Sequence, residues 1–180
     1  MARYAVIVVD MLNDFVTGSL GCDNAKKIVE PLQRLCDAAR ERDVPVVYAN
    51  DSHLKGIDRE LELWGDHAVR GTEGAEVIPE LTPKEGDYII PKRRYSGFFQ
   101  TDMHITLQEL GVDTLIVGAI DYDVANVFCH AGIEVIAGAH GSAREVVQAY
   151  LTRTLTGVDE LCHLDGWEHE DGHDRDLAEA

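Results

Sequence analysis

A three-layer αβα fold with a mostly parallel sheet is what this sequence of 180 residues predicts. Short apolar, β-branched runs alternate with stretches of helical periodicity, and that alternation builds parallel sheets covered by helices through right-handed crossovers. The first run, residues 5–9, contains no polar side chain and reads as the central strand, covered on both faces. It stops at Asp10, on the carboxyl edge where open α/β sheets hold their ligands. Taken alone, Asp10 reads as a cap for the turn that follows; the partners at matching strand ends raise the functional reading.

The elements follow in order. Leu12 to Cys22, rich in Asn, Asp, Gly and Ser, reads as a loop. Pro31 suits the first turn of a helix that carries Leu32, Leu35, Cys36 and Ala39 at helical spacing and runs to about Arg42. Residues 44–50 make a second strand, with Pro45 tolerable near its start. Residues 54–81 form an irregular excursion with one short helix, and residues 87–92 a third strand. Thr101 caps a helix through Leu110 that Gly111 ends. A fourth strand covers 114–120, a short helix 124–130 and a fifth strand 133–137. Ser142-Ala-Arg-Glu145 is a capping box opening a last helix, with Val146, Val147, Tyr150 and Leu151 on one face. Residues 1–163 therefore read as a single domain, and 164–180, acidic and His-bearing, as a mobile tail.

Composition narrows the partners. A formal charge of −17 with only five lysines argues against nucleic acid and anionic membranes. No apolar run approaches the length of a membrane span and the N-terminus lacks a secretory pattern, so a cytoplasmic protein is expected. The acidic, lysine-poor balance is similar to that of proteins from salt-rich cytosols. Cys22, Cys36, Cys129 and Cys162 lack framework spacing, and reduced thiols are expected.

Three predicted strand ends carry polar groups: Asp10, the pair Asp51 and His53, and Lys92. A carboxylate and an ammonium at neighbouring strand ends suit activation of a thiol, one taking its proton while the other stabilises the thiolate. Asp51, His53 and His67 offer one carboxylate and two imidazoles, a divalent-metal set with positions left open for water or ligand; an ordinary polar loop is the other reading. Cys162 and His163 are candidates for a second metal site, whereas His169 and His173 read as part of a solvated tail.

Several ordered motifs then carry a resemblance: Val8-Val-Asp-Met-Leu-Asn-Asp-Phe15, Tyr48-Ala-Asn-Asp-Ser-His53, Trp64-Gly-Asp-His-Ala-Val-Arg-Gly-Thr-Glu-Gly-Ala-Glu76, Lys92-Arg-Arg-Tyr-Ser-Gly-Phe-Phe99, Thr101-Asp102 and Leu110-Gly-Val-Asp-Thr-Leu-Ile-Val117. Over residues 1 to about 118 the chain resembles the isochorismatase-like cysteine hydrolases, which include nicotinamidases. The resemblance implies a Rossmann-like topology, a homo-oligomer and hydrolysis of a C–N amide bond in a small molecule such as nicotinamide. It matches Asp10 to the general base and Lys92 to the catalytic lysine. It matches Asp51, His53 and His67 to ligands of a divalent metal, zinc or similar. A cysteine thiolate attacks the amide carbonyl, ammonia leaves, water hydrolyses the thioester, and backbone N–H groups hold the oxyanion.

The family's nucleophile follows the fourth strand, where this chain reads Ala119-Ile-Asp-Tyr-Asp-Val-Ala125. Ala125 stands at the cysteine's place without a gap and Val124 with one; neither is a nucleophile. Cys129 comes four residues later, about one helical turn or roughly 6 Å along the axis. A shift of that size is far beyond the ~1 Å such chemistry tolerates, so Cys129 is a displaced nucleophile at best and otherwise a small buried hydrophobe. Residues 111–165 resemble a second family, the dinitrogenase iron-molybdenum cofactor-binding proteins, through Ala131-Gly-Ile-Glu-Val-Ile-Ala-Gly-Ala139, Gly141-Ser-Ala-Arg-Glu-Val-Val-Gln-Ala-Tyr-Leu151, Leu155 and Cys162-His163. Two further readings follow, a metal or metallocluster carrier and a catalytically inactive member of the hydrolase family.

Overall fold

The structure is a computed structural model, and it describes residues 4–116, 129, 133–139, 143–155 and 159–160. Strands β1 (Val6–Val9), β2 (Val46–Asp51) and β3 (Tyr88–Lys92) pair in parallel in the order β1-β2-β3. Strands β4 (Thr114–Ile116) and β5 (Glu134–Ala137) pair in parallel, and β6 (Asp159–Glu160) adds an antiparallel edge. Around them lie α1 (Asn13–Val16), α2 (Asp23–Arg40), α3 (Glu60–Trp64), α4 (Met103–Glu109) and α5 (Ala143–Leu151). This is the α/β architecture the alternating pattern predicts. No helix among the described residues is long and apolar enough to cross a membrane.

Two apolar clusters fill the space between sheet and helices. Val47, Ala49 and Ile90 of the first ladder meet Met103 and Leu107 of α4 and Val112, Ile133 and Val135 beside the second ladder. On the opposite face Val8, Val46 and Tyr48 pack against Cys36 and Ala39 of α2 and against Ile78 and Leu81. Arg40, at the last turn of α2, locks that layer: its guanidinium donates to both carboxylate oxygens of Asp87, at 3.2 and 2.6 Å, and to the Tyr48 hydroxyl.

Three expectations need correction. The middle strand of the first ladder is β2, not β1: all six of its residues are buried, while Val9 of β1 stays half exposed. Among the described residues β2 pairs with β1 on one edge and β3 on the other. The second helix begins at Asp23 instead of Pro31, with the Cys22 sulfur accepting from the Ala25 N–H. Its apolar stripe already includes Ala25 and Val29, so burial outweighs the backbone hydrogen bond lost at the internal proline. The stretch after Leu12 is a short helix rather than wholly a loop. The expected helix over 124–130, apart from Cys129, the end of the fourth strand, Ser142 of the capping box and the tail 164–180 lie outside the described residues.

Candidate active site and metal centre

Register places the polar residues. Parallel pairing sets Val9 against Ala49 and Asp51 against Lys92, so Asp10, Asp51 and Lys92 emerge side by side at one carboxyl edge. The Lys92 side chain is 1% exposed, and its Nζ stands 2.8 Å from Asp10 Oδ2 and 2.6 Å from Asp51 Oδ1. A buried ammonium needs such partners, since desolvation alone would strip its proton. Burial does press the Lys92 pKa down, yet the two carboxylates outweigh it and hold the group charged, above its usual range. Asp10 is pushed above the usual carboxylate range, first by burial, with Asp51 adding to the rise and Lys92 opposing it. Its backbone is left-handed at φ +54°, a strained state for a residue with a side chain. The strain is held by the Asp51 N–H donating to Asp10 Oδ1 at 2.8 Å and the Asp10 N–H donating to the Ala49 carbonyl.

The same strand end leads into the metal candidates. Asp51 and His53, two residues apart in extended chain, share a face. His53 pairs as an isolated parallel bridge with Val69, its N–H donating to the Ala68 carbonyl and its carbonyl accepting from Arg70. That stitch brings His67 beside His53, with ring centroids 4.8 Å apart in an edge-on arrangement. Helix α1 supports the loop from below: Asp14 Oδ2 accepts from the Ala68 N–H at 2.9 Å, and the Phe15 ring packs edge-on against His67. His67 Nδ1 lies 2.8 Å from the Gly65 carbonyl. An acceptor there fixes the tautomer and leaves Nε2 its lone pair.

One ligand atom from each of Asp51, His53 and His67 falls within 4.8 Å of the others, and all three residues are buried. Ligands held ~2.1 Å from a shared ion in tetrahedral geometry stand about 3.4 Å apart, so a contraction of up to about 1.4 Å closes the set. His53 is 0% exposed and neither ring nitrogen has a hydrogen-bond partner, a cost that a coordinated cation removes. The residues present therefore fit a divalent metal, and the two imidazoles and carboxylate suit zinc. Asp51 serves both halves of the site, one oxygen on Lys92 and the other 3.7 Å from His53 Nε2.

Asp58 is a residue the sequence did not single out. Its carboxylate is fully buried, accepts from the Leu54 N–H at 2.7 Å, receives a forked contact from Arg93 and lies 3.5 Å from His53 Nδ1. A cavity of about 460 Å³ opens nearby, lined by Arg59, Arg93, Arg94, Leu63 and Tyr95 among others.

Cys129 requires a correction. Its half-buried side chain packs against the cluster of Val47, Ala49 and Ile90, and its sulfur is disulfide-bonded, whereas Cys22 and Cys36 are free. Wholly reduced thiols are thus not what the fold holds, because sequence spacing does not register sulfurs that folding brings together. A sulfur in a disulfide presents no thiolate. Val124, Ala125, Cys162, His163, His169 and His173 lie outside the described residues.

The sequence model of the isochorismatase domain matches residues 4–146, most of the chain. The chain belongs to the isochorismatase family. The match continues past residue 118, where the motifs resembling that family stop, and nothing in the comparisons bears on a dinitrogenase-type C-terminal region. Among solved structures the chain is similar to the N-carbamoylsarcosine amidase of Thermoplasma acidophilum, with TM-score 0.64, 34% identity, and 84% of this chain and 91% of that one covered. It is also similar to the pyrazinamidase of Pyrococcus horikoshii in complex with zinc, with TM-score 0.61, 26% identity, and 84% and 94% covered. A relative from Arabidopsis thaliana named a "probable inactive nicotinamidase" is 33% identical over 64% of this chain and 65% of its own length. The chain spans just under two thirds of the length of the curated relatives it matches first.

Proposed function

We propose that this isochorismatase-family hydrolase is built for the C–N bond of a small amide such as nicotinamide, and that turnover is throttled by alanine at the nucleophile's place, position 125. The observation that carries the reading is the Asp10–Lys92–Asp51 cluster at the strand edge, joined through Asp51 to the His53–His67 pair. Asp10, raised by burial, is a base for a proton arriving from an attacking group. Lys92, kept charged between two carboxylates, is the cation that would stabilise a thiolate or a developing oxyanion formed beside it. Asp51, His53 and His67 would hold the metal, which supplies positive charge and open positions that orient a substrate or water.

What this chain lacks at residue 125 is a group to form the acyl intermediate, which fits its likeness to a relative named inactive. The test is restoration. Wild type, Ala125→Cys and Val124→Cys are compared for ammonia release from nicotinamide and related amides, under reducing conditions. We expect slow or no release by wild type and a rise of at least about a hundredfold in one of the cysteine variants, abolished by adding Asp10→Asn. Wild-type turnover at nicotinamidase-like rates, lost in Cys129→Ala, would overturn this reading and return Cys129 to the mechanism. A carrier reading is tested in the same preparations. Stoichiometric metal that is lost on truncation at Thr156, but survives in His53→Ala, would favour it.

A further inference from the structure

We propose that Asp58, outside the metal triad, is the residue that orients His53 for the metal, acting as a carboxylate behind the imidazole. This rests on the reading of Asp51, His53 and His67 as a metal site. The proposal starts from a buried group that the rest of the site does not explain. Asp58 has a side chain with no exposure, and charged carboxylates are not buried without partners. Its partners are assembled from three places: the Leu54 N–H donates to Oδ2, Arg93 forks onto both oxygens, and Arg94 stands 3.6 Å away. These donors compensate the buried carboxylate for its lost hydration. The turn that presents it is closed by the Asp58 N–H donating to the Leu54 carbonyl.

The geometry gives this carboxylate a direction. His53 is wedged between two acids, with Nδ1 3.5 Å from Asp58 Oδ2 and Nε2 3.7 Å from Asp51 Oδ2. An ionised carboxylate only accepts, and with a cation shared between Nε2 and Asp51 the nitrogen facing Asp58 is the one left to carry the proton. The lone pair is then on Nε2, toward Asp51 and His67, where a cation would be shared. The opposite tautomer would aim an N–H into the metal position and a lone pair at a fixed negative charge. Metal-bound imidazoles generally give their second nitrogen to such an acceptor; His67 uses the Gly65 carbonyl, and for His53 Asp58 is the acceptor within reach. Consecutive residues divide the labour at the end of β3: Lys92 neutralises Asp10 and Asp51, while Arg93 neutralises Asp58. Arg93 thereby keeps Asp58 from competing for the cation itself.

The experiment measures zinc alone, by calorimetric titration of the full chain stripped of metal, with cobalt(II) absorption as a spectroscopic check on ligand geometry. Asp58→Ala is expected to weaken zinc binding about 10- to 100-fold and to alter the cobalt bands. Asp58→Asn, whose amide oxygen still accepts, is expected to recover most of the affinity. The pair Asp58→Ala/Arg93→Met removes the stranded guanidinium and is expected to stay weak. Return of wild-type affinity in that pair would mean stray charge and not orientation, overturning the proposal. So would unchanged affinity in Asp58→Ala with a lowered melting temperature only. Should that variant not fold, imidazole nitrogen NMR of zinc-loaded wild type decides: a proton on His53 Nδ1 supports the proposal, and zinc on Nδ1 sinks it. Wild type that binds no zinc would refute the metal reading beneath it, an outcome separate from a failure of Asp58.

Discussion

Lys92→Met tests whether the ammonium is the keystone of the strand edge. The exchange preserves length and apolar contacts and deletes one charge, leaving Asp10 and Asp51 facing each other without the cation that touches both at 2.8 and 2.6 Å. Asp51 is 6% exposed, so water gives it little relief. Removing one partner of a buried ion pair costs about 3–5 kcal/mol. In a domain of this size each kcal/mol moves Tm by about 2–4 °C, so the variant is expected to melt roughly 6–20 °C lower near neutral pH. The pH dependence has a definite sign. Lys92 has a raised folded pKa, so its stabilisation is fully present below the ordinary lysine value, including at neutrality. In the variant Asp10, already raised by burial, loses the ammonium that opposed the rise and moves up further. Its protonation then relieves the carboxylate repulsion as pH falls, and the gap between wild type and variant narrows from neutrality toward acid. Thermal melts of metal-free protein across that range measure it, and adding Asp51→Asn should return part of the loss. A variant that melts with wild type, or a gap that widens toward acid, would refute a buried, doubly paired lysine.

Other perturbations separate the layers of the site. Gly74→Ala would drive a methyl to 2.1 Å from Asp14 Oδ2, pushing that carboxylate off the Ala68 N–H; a loss of about 1–3 kcal/mol, with weaker zinc binding, is expected in melts and titrations. Arg40→Met strips Asp87 of its forked partner on the far side of the sheet. It should cost about 3 kcal/mol in denaturant unfolding while leaving zinc affinity within twofold, since no residue of the triad contacts it. Zinc at about a hundred times its dissociation constant should stabilise the chain by about 2.7 kcal/mol, a shift that a chelator reverses and that His67→Ala abolishes.

The strand edge was legible because a β-strand's carboxyl end is marked in sequence by where an apolar run stops. Val9 to Asp10, Ala49 to Asn50-Asp51 and Ile90-Pro91 to Lys92 are such stops, and parallel register converts them into neighbours. His67 is different, since nothing local in Trp64-Gly-Asp-His67 places it beside His53. That depends on the Val69 bridge and on Asp14 holding Ala68; residue type made His67 a candidate ligand and the family resemblance matched it, but neither shows the contact. Pro31 misled because a proline is read as a boundary, although the apolar stripe from Ala25 through Val29 and Leu32 continues across it.

Asp58 was invisible for a physical reason that also bears on its role. Its partners are a backbone N–H four residues back and a guanidinium just past β3, with an imidazole 3.5 Å away, and none of these leaves a spacing that composition or periodicity detects. In a chain with 33 acidic residues, one more aspartate in an irregular loop reads as solvated surface. Burial overturns that reading: a carboxylate with no exposure, saturated by donors on three sides and directed at an orphaned imidazole, is held there against its own desolvation. Were Asp58 only a loop staple, the Leu54 N–H and the arginine fork would account for it, and its approach to within 3.5 Å of His53 Nδ1 would carry no consequence. Asp51 and His67 crowd the other edge of the ring, which leaves Nδ1 facing the acid and Nε2 facing the cation position. The Asp10–Lys92–Asp51 cluster and the metal candidates thus share one electrostatic frame, with Lys92 and Arg93 as adjacent cations between three carboxylates.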